Sequence, residues 1–115
     1  MQPDCLFCRI GRGEIPARVA HQDELVVAFH DIAPQAPTHI LVIPRTHIGS
    51  VGDLGPDDAG LLARLVTTAT RLAREAGLDG SGYRIVANTG ADAGQSVRHL
   101  HLHLLGGRPM AWPPG

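Results

Sequence analysis

"RHLHLHLLG", residues 98–106, is the stretch whose reading decides the fold. Histidine and leucine alternate from His99 through Leu104, and Leu105 and Gly106 close the run. Successive side chains of a strand point to opposite faces, whereas a helix repeats every 3.6 residues. The alternation therefore predicts a strand over 98–106. His99, His101 and His103 stand in a row on one face, with about 7 Å between neighbours. Leu100, Leu102 and Leu104 line the other face, where a helix can pack.

That helix is legible upstream. Leu61, Leu62, Leu65, Val66, Ala69, Leu72, Ala73 and Ala76 recur at helical spacing over 57–76. Pro56 suits a first turn, Asp57 and Asp58 complement the N-terminal dipole, and Gly77 suits the C-terminal cap. Residues 83–89, "YRIVANT", read as a strand, and "GADAGQS" (90–96) as a glycine-rich loop before the histidines. Further back, "ARVAH" (17–21) and "LVVAFHD" (25–31) read as a hairpin, and "THILVIP" (38–44) as a strand closed by Pro44. "CLFCRIG" (5–11) reads as a short helix stopped by Gly11. The expected fold is α+β: a five-stranded antiparallel sheet with one long and one short helix, both covering one face.

Bulk properties narrow the function. At 115 residues the chain fits one domain over 1–115, with 106–115 as a proline-rich C-terminal tail. A formal net charge of −1 argues against a nucleic-acid partner or an electrostatic membrane partner. No apolar run approaches a membrane span, and "MQPDCLFCRIGRGE" (1–14) lacks a signal-peptide core. Two cysteines make no disulfide framework, so a cytoplasmic, reducing location is expected.

Taken from the residues alone, three aligned histidines allow three readings. They could be solvated by chance. They could bind zinc, as His-x-His on a strand can. They could do nucleophilic chemistry, because a neutral imidazole attacks phosphorus and the product is labile. The adjoining glycine-rich loop favours the third reading, since its backbone can approach phosphate oxygens closely and Ser96 adds a hydroxyl.

The run His99-Leu100-His101-Leu102-His103-Leu104-Leu105 resembles the histidine-triad pattern of the HIT superfamily. "EIPA" (14–17), "AFHDIAPQAPTHILVIPRTHI" (28–48), "GYRIVANTGADAG" (82–94) and "GQSVRHLHLHLLGGRPMAWPPG" (94–115) are similar to its Hint branch, the purine nucleoside phosphoramidases. The resemblance implies a homodimer with a continuous sheet, Trp112 being a candidate to touch the partner. It implies attack by His101 on the α-phosphate of a purine nucleotide, giving a nucleotidyl-histidine that water hydrolyses to the monophosphate. A backbone carbonyl would hold the other ring nitrogen of His101. His103 and His39 would flank the phosphate, His99 would support the row, and Ser96 would assist the leaving nitrogen. Gln95 and Asn88 would orient the phosphate and ribose side, while amides from Gly94 to Val97 would stabilise charge on phosphorus-bound oxygen.

By the same resemblance, Asp31 would hold the ribose hydroxyls. Leu6, Phe7, Ile10, Phe29 and Ile32 would form the slot for the base, with His30 beside them. Catalysis would need no cofactor. Cys5 and Cys8 supply half of a tetrahedral zinc site. Some relatives complete it with the residues that are His47 and His99 here; otherwise the two cysteines cap a short helix. The alternatives kept in view are a dinucleoside polyphosphate hydrolase, a zinc hydrolase with the triad as ligands, and a purine-nucleotide-binding regulator with incidental turnover.

Overall fold

The computed structural model describes residues 4–115; residues 1–3, part of the polar N-terminal stretch read above, lie outside it. Five strands, β1 (Val19–Gln22), β2 (Val26–His30), β3 (Thr38–Pro44), β4 (Tyr83–Val86) and β5 (Leu102–Gly106), form one sheet in the order β1-β2-β3-β5-β4. Every neighbouring pair is antiparallel. The helices are α1 (Leu6–Gly11) and α2 (Ala59–Glu75). Among the described residues no helix is long and apolar enough to cross a membrane.

The sheet has a core on each face. Leu100, Leu102 and Leu104 pack with Val26, Ala28, Ile40 and Val42 of the sheet and with Leu65, Ala69, Leu72 and Ala73 of α2. Val27, Phe29, Leu41 and Ile43 point the other way and pack with Phe7 of α1. The two helices therefore cover opposite faces, not the single face expected. The apolar spacing of α1 shows that it must bury something; it does not say on which side.

Local chemistry sets the ends of α2. The expected first turn, at Pro56–Asp58, is a tighter 3-10 turn in which the Asp58 carboxylate accepts the Gly55 N–H at 2.9 Å. The α-helix proper begins at Ala59. At its C-terminus Gly77 has φ +77°, its N–H bonds the Arg74 carbonyl, and the Leu78 N–H bonds the Ala73 carbonyl. These two bonds make a Schellman cap, and Leu78 tucks into the core as the cap's apolar contact. Thr68 is buried on the packed face, whereas Val66 and Ala76 lie off it. In α1, Gly11 is the last helical residue and Gly13, at φ +77°, turns the chain.

The last strand is shorter than the alternation suggests. β5 starts at Leu102, and His99 and His101 belong to a bent approach. The β3–β5 ladder ends at the pair Val42 and Leu102. Beyond it the Leu100 N–H bonds the Ile48 carbonyl, and the Pro44 carbonyl is taken by the His99 ring. The histidine row is therefore part strand and part bend, although the leucines still alternate into the core. β4 likewise ends at Val86, before Asn88 and Thr89.

Candidate active site

A cleft of about 390 Å³ opens on the α1 side of the sheet, within the usual size range for a small-molecule site. Leu6, Phe7 and Ile10 come from α1, Phe29 and His30 from β2, and Asp31 and Ile32 from the turn that follows. Ser96, Val97, His101 and His103 complete the far wall. The structure thus brings together most of the residues expected to bind a nucleotide. Phe7 sits at the centre: its ring lies edge-on to Phe29 with centroids 5.4 Å apart, and edge-on to His101 at 5.1 Å. Ile15, Pro16, Ala17 and Leu41 also line the slot. Leu41 could have been read from period two, since it shares a strand face with His39. The Ile15–Ala17 segment follows α1 in irregular chain and carries no such periodicity.

Hydrogen bonds fix which nitrogen of each buried ring carries the proton. Nδ1 of His101 lies 2.7 Å from the His99 carbonyl oxygen, which can only accept. Nδ1 therefore donates and Nε2 is left with a bare lone pair. A second chain starts at the Gln35 N–H, which donates to His39 Nδ1 at 3.0 Å. The His39 proton must then be on Nε2, which donates to His103 Nδ1 at 2.9 Å, with Asp31 Oδ2 3.4 Å away. The His103 proton is in turn on its Nε2. The neighbouring rings of His101 and His103, 4.9 Å apart, thus offer opposite groups: an acceptor able to attack, and an N–H able to donate.

The His103 ring is neutral at pH 7. Burial pushes His103 down to about 4, and the nearby His101 and His39 rings add to the effect. Burial also lowers His39, although Asp31 opposes it. Asp31 is itself oriented, because its Oδ1 accepts the Ala33 N–H at 2.8 Å.

His99 does something else. It is wholly buried, and its Nε2 donates to the Pro44 carbonyl at 2.8 Å. Its bare Nδ1 faces Cys5 Sγ at 3.3 Å and Cys8 Sγ at 3.5 Å, while Cys8 Sγ is 3.3 Å from His47 Nδ1. The four ligand atoms lie within 4.8 Å of one another. Zinc bonds of about 2.3 Å to sulfur and about 2.0–2.1 Å to nitrogen give a tetrahedron with S···N edges near 3.5 Å. The cluster fits that geometry, and the Pro44 carbonyl supplies the outer hydrogen bond that metal-binding histidines commonly make.

Three expected residues stand apart from the cleft. The Gln95 amide accepts from the Gly90 N–H and donates to the Gly49 and Val97 carbonyls, so it ties the loop together. The N–H groups of Gly94 and Gln95 bond inside the same loop, to the Ala91 and Gly90 carbonyls. Asn88 lies beside the C-terminal tail, in a groove it shares with Arg84 and Arg108. The sequence places Gly94 and Gln95 in the right loop, but Asn88, expected in a strand over 83–89, lies beyond β4, which ends at Val86.

Residues 12–110 match the HIT domain model. The chain belongs to the HIT domain family, and the relatives it matches include hydrolases. It is 46% identical over 110 residues to the purine nucleoside phosphoramidase of Escherichia coli K12, covering 96% of this chain and 92% of that one. A HIT family hydrolase from Legionella pneumophila superposes with a TM-score of 0.96 at 54% identity, over 97% of this chain and 100% of that one. A histidine triad protein from Clostridium difficile gives 0.93 at 39% identity, over 96% of each chain.

Proposed function

We propose that the chain hydrolyses the P–N bond of purine nucleoside 5′-phosphoramidates, with His101 as nucleophile. The carrying observation is the pair of opposed tautomers at the end of an apolar slot. The base enters between Phe7, Phe29 and Ile32, and Asp31 accepts from the ribose hydroxyls. His101 Nε2 bonds to phosphorus as the P–N bond breaks. The leaving nitrogen keeps the electron pair and takes a proton through the Ser96 hydroxyl, which water replenishes. His103 Nε2–H and the N–H groups of Ser96 and Val97 hold the phosphorus-bound oxygens. Water then attacks phosphorus, Nε2 departs, and the monophosphate is released. The likeness to the purine nucleoside phosphoramidase of Escherichia coli supports this bond over a phosphoanhydride as the one cleaved here.

Cys5, Cys8, His47 and His99 would hold a structural zinc, which when bound stiffens the backbone of His99. The His99 carbonyl in turn fixes the tautomer of His101. We also propose that two copies pair through β4, one of the two edge strands of the sheet. Tyr83 on that strand and Trp112 on the tail are both exposed, and an open sheet edge invites pairing. Sedimentation at twice the 12.2 kDa chain mass is expected; sedimentation as a single chain would reject the pairing.

AMP release from adenosine 5′-phosphoramidates, measured with zinc content, tests the chemistry. His101→Ala is expected to lose about four orders of magnitude or more in turnover while keeping its zinc. Cys8→Ser should lose the zinc and only about 10–100-fold in turnover. Activity that vanished in step with metal would instead indicate a zinc hydrolase. AMP binding by the wild type without turnover would indicate a nucleotide-binding module.

A further inference from the structure

The turn between β2 and β3 orients His39, yet its own sequence gives it little to hold on to. In "APQAP" (33–37) Pro34 and Pro37 have no N–H to tether it, and Gln35 is exposed. The Gln35 N–H is nevertheless aimed inward, at His39 Nδ1, 3.0 Å away. The Gln35 side chain folds back into the turn, with Nε2 donating to the Ala33 carbonyl at 3.0 Å.

An outside hold comes from the chain just past β5. Gly107 has φ +95°, and a Cβ there would come within 2.8 Å of Pro37 Cβ. Glycine therefore serves twice at this corner, for the backbone conformation and for the close approach to the turn. The corner brings Arg108 over Gln35. Arg108 Nε donates to the Gln35 carbonyl at 3.0 Å, and Nη1 donates to the Pro109 carbonyl at 3.0 Å, which fixes the guanidinium. Gln35 is thus held at both ends, its carbonyl by Arg108 and its N–H by His39. Arg108, Gln35, His39 and His103 form one line from the tail to the cleft.

Each link constrains the next. If the Gln35 backbone turns away, His39 Nδ1 loses its donor and can take the proton itself. Nε2 of His39 then has nothing to donate to His103 Nδ1, so the His103 proton can move to that nitrogen. His103 would present a lone pair beside the lone pair of His101, and an oxygen on phosphorus would lose its N–H donor.

We propose that Arg108 is a positioning residue: by holding the Gln35 carbonyl it keeps His39 and His103 in the tautomers that give the cleft its donor. It touches neither substrate nor reacting atoms. The inference deepens the phosphoramidase reading above, but its first readout needs no substrate.

The test pairs nitrogen NMR of the three rings at pH 7.5 with turnover of an adenosine 5′-phosphoramidate. In wild type His39 and His103 should each carry the proton on Nε2, and His101 on Nδ1. Arg108→Ala should turn His39 and His103 into mixtures of both tautomers and leave His101 unchanged. Its kcat should fall about ten-fold, the scale of one charge-assisted hydrogen bond, with little change in KM. Arg108→Lys, which keeps a donor, should recover part of both. Gln35→Pro, which removes the N–H itself, should mix the same two rings with Arg108 in place. Wild-type spectra of His39 and His103 in Arg108→Ala or in Gln35→Pro would overturn the proposal, whatever happens to kcat. Equal mixing at His101 would also overturn it, because that would mean general loosening. If wild type hydrolyses no phosphoramidate while the spectra change as expected, the phosphoramidase reading fails and the positioning role stands.

Discussion

On one side of residues 99–105, Leu100, Leu102 and Leu104 are 1%, 3% and 0% exposed and pack with apolar neighbours from the sheet and α2. On the other side, His99 and His101 are almost as deeply buried, at 0% and 5%, yet their ring nitrogens have named partners or face a cluster or a cleft. The leucine side stabilises by area and shape, so another apolar residue of similar volume serves nearly as well. The histidine side depends on the position of single protons. Moving one proton to the other nitrogen of His101 would alter no packing atom, yet it would break the bond to the His99 carbonyl and remove the nucleophile. The same short segment thus carries a tolerant half and an intolerant half, in strict alternation.

Mutations should separate the two halves. The largest effect belongs to His101→Ala, which is expected to lose about four orders of magnitude or more in turnover while keeping its zinc, as described above. Next is Leu104→Ala, on the opposite face. Leu104 is fully buried between β3 and α2, and truncation of such a side chain costs about 2–5 kcal/mol. Urea unfolding should show that loss, while kcat of the folded fraction at low temperature should stay near the wild-type value. If Leu104→Ala abolished kcat while the protein stayed folded, the two faces would not be independent.

The same contrast explains what the sequence made legible. Alternation alone separated Leu100, Leu102 and Leu104 from His99, His101 and His103, because it needs only the pleat of an extended chain. The long helix was readable for a similar reason, down to Gly77 at its cap. Alternation could not show that the extended ladder begins only at Leu102. That depends on His99 reaching the Pro44 carbonyl and Leu100 bonding Ile48, contacts made across the fold. The roles proposed for the histidines came only through family resemblance. The ring of His39 is oriented by the Gln35 amide, four residues back in a turn, and no periodicity encodes that. Gln95 shows the limit from the other direction: a polar residue beside the triad reads as a ligand, yet its amide is engaged by the loop itself.

The smallest effect is the one that pH should reveal, and it follows from the same contrast. His103 is held down to about 4 by burial and by the His101 and His39 rings, and His39 is lowered by burial against the pull of Asp31. In the unfolded chain both return to about 6.5. Below that pH the unfolded state takes up protons that the folded state refuses, so stability is full above 6.5 and falls as pH drops toward 4. The expected loss in Tm between pH 7.5 and 4.5 is on the order of 5–10 °C. Asp23 does not confuse this window. Burial opposes its ionisation, but hydrogen bonds from His21, the Leu25 and Val26 amides and Arg64 hold it below the usual carboxylate range, so it titrates at lower pH. Leu104→Ala should lower Tm by a similar amount at every pH in the range, because no proton is exchanged on that face, whereas His39→Asn should flatten the slope. Nitrogen NMR of His103 gives the sharper reading: the ring should keep its proton on Nε2 and remain neutral until about pH 4. A midpoint near 6.5 would mean that the chain from Gln35 through His39 does not hold it, and the opposed pair with His101 would fail.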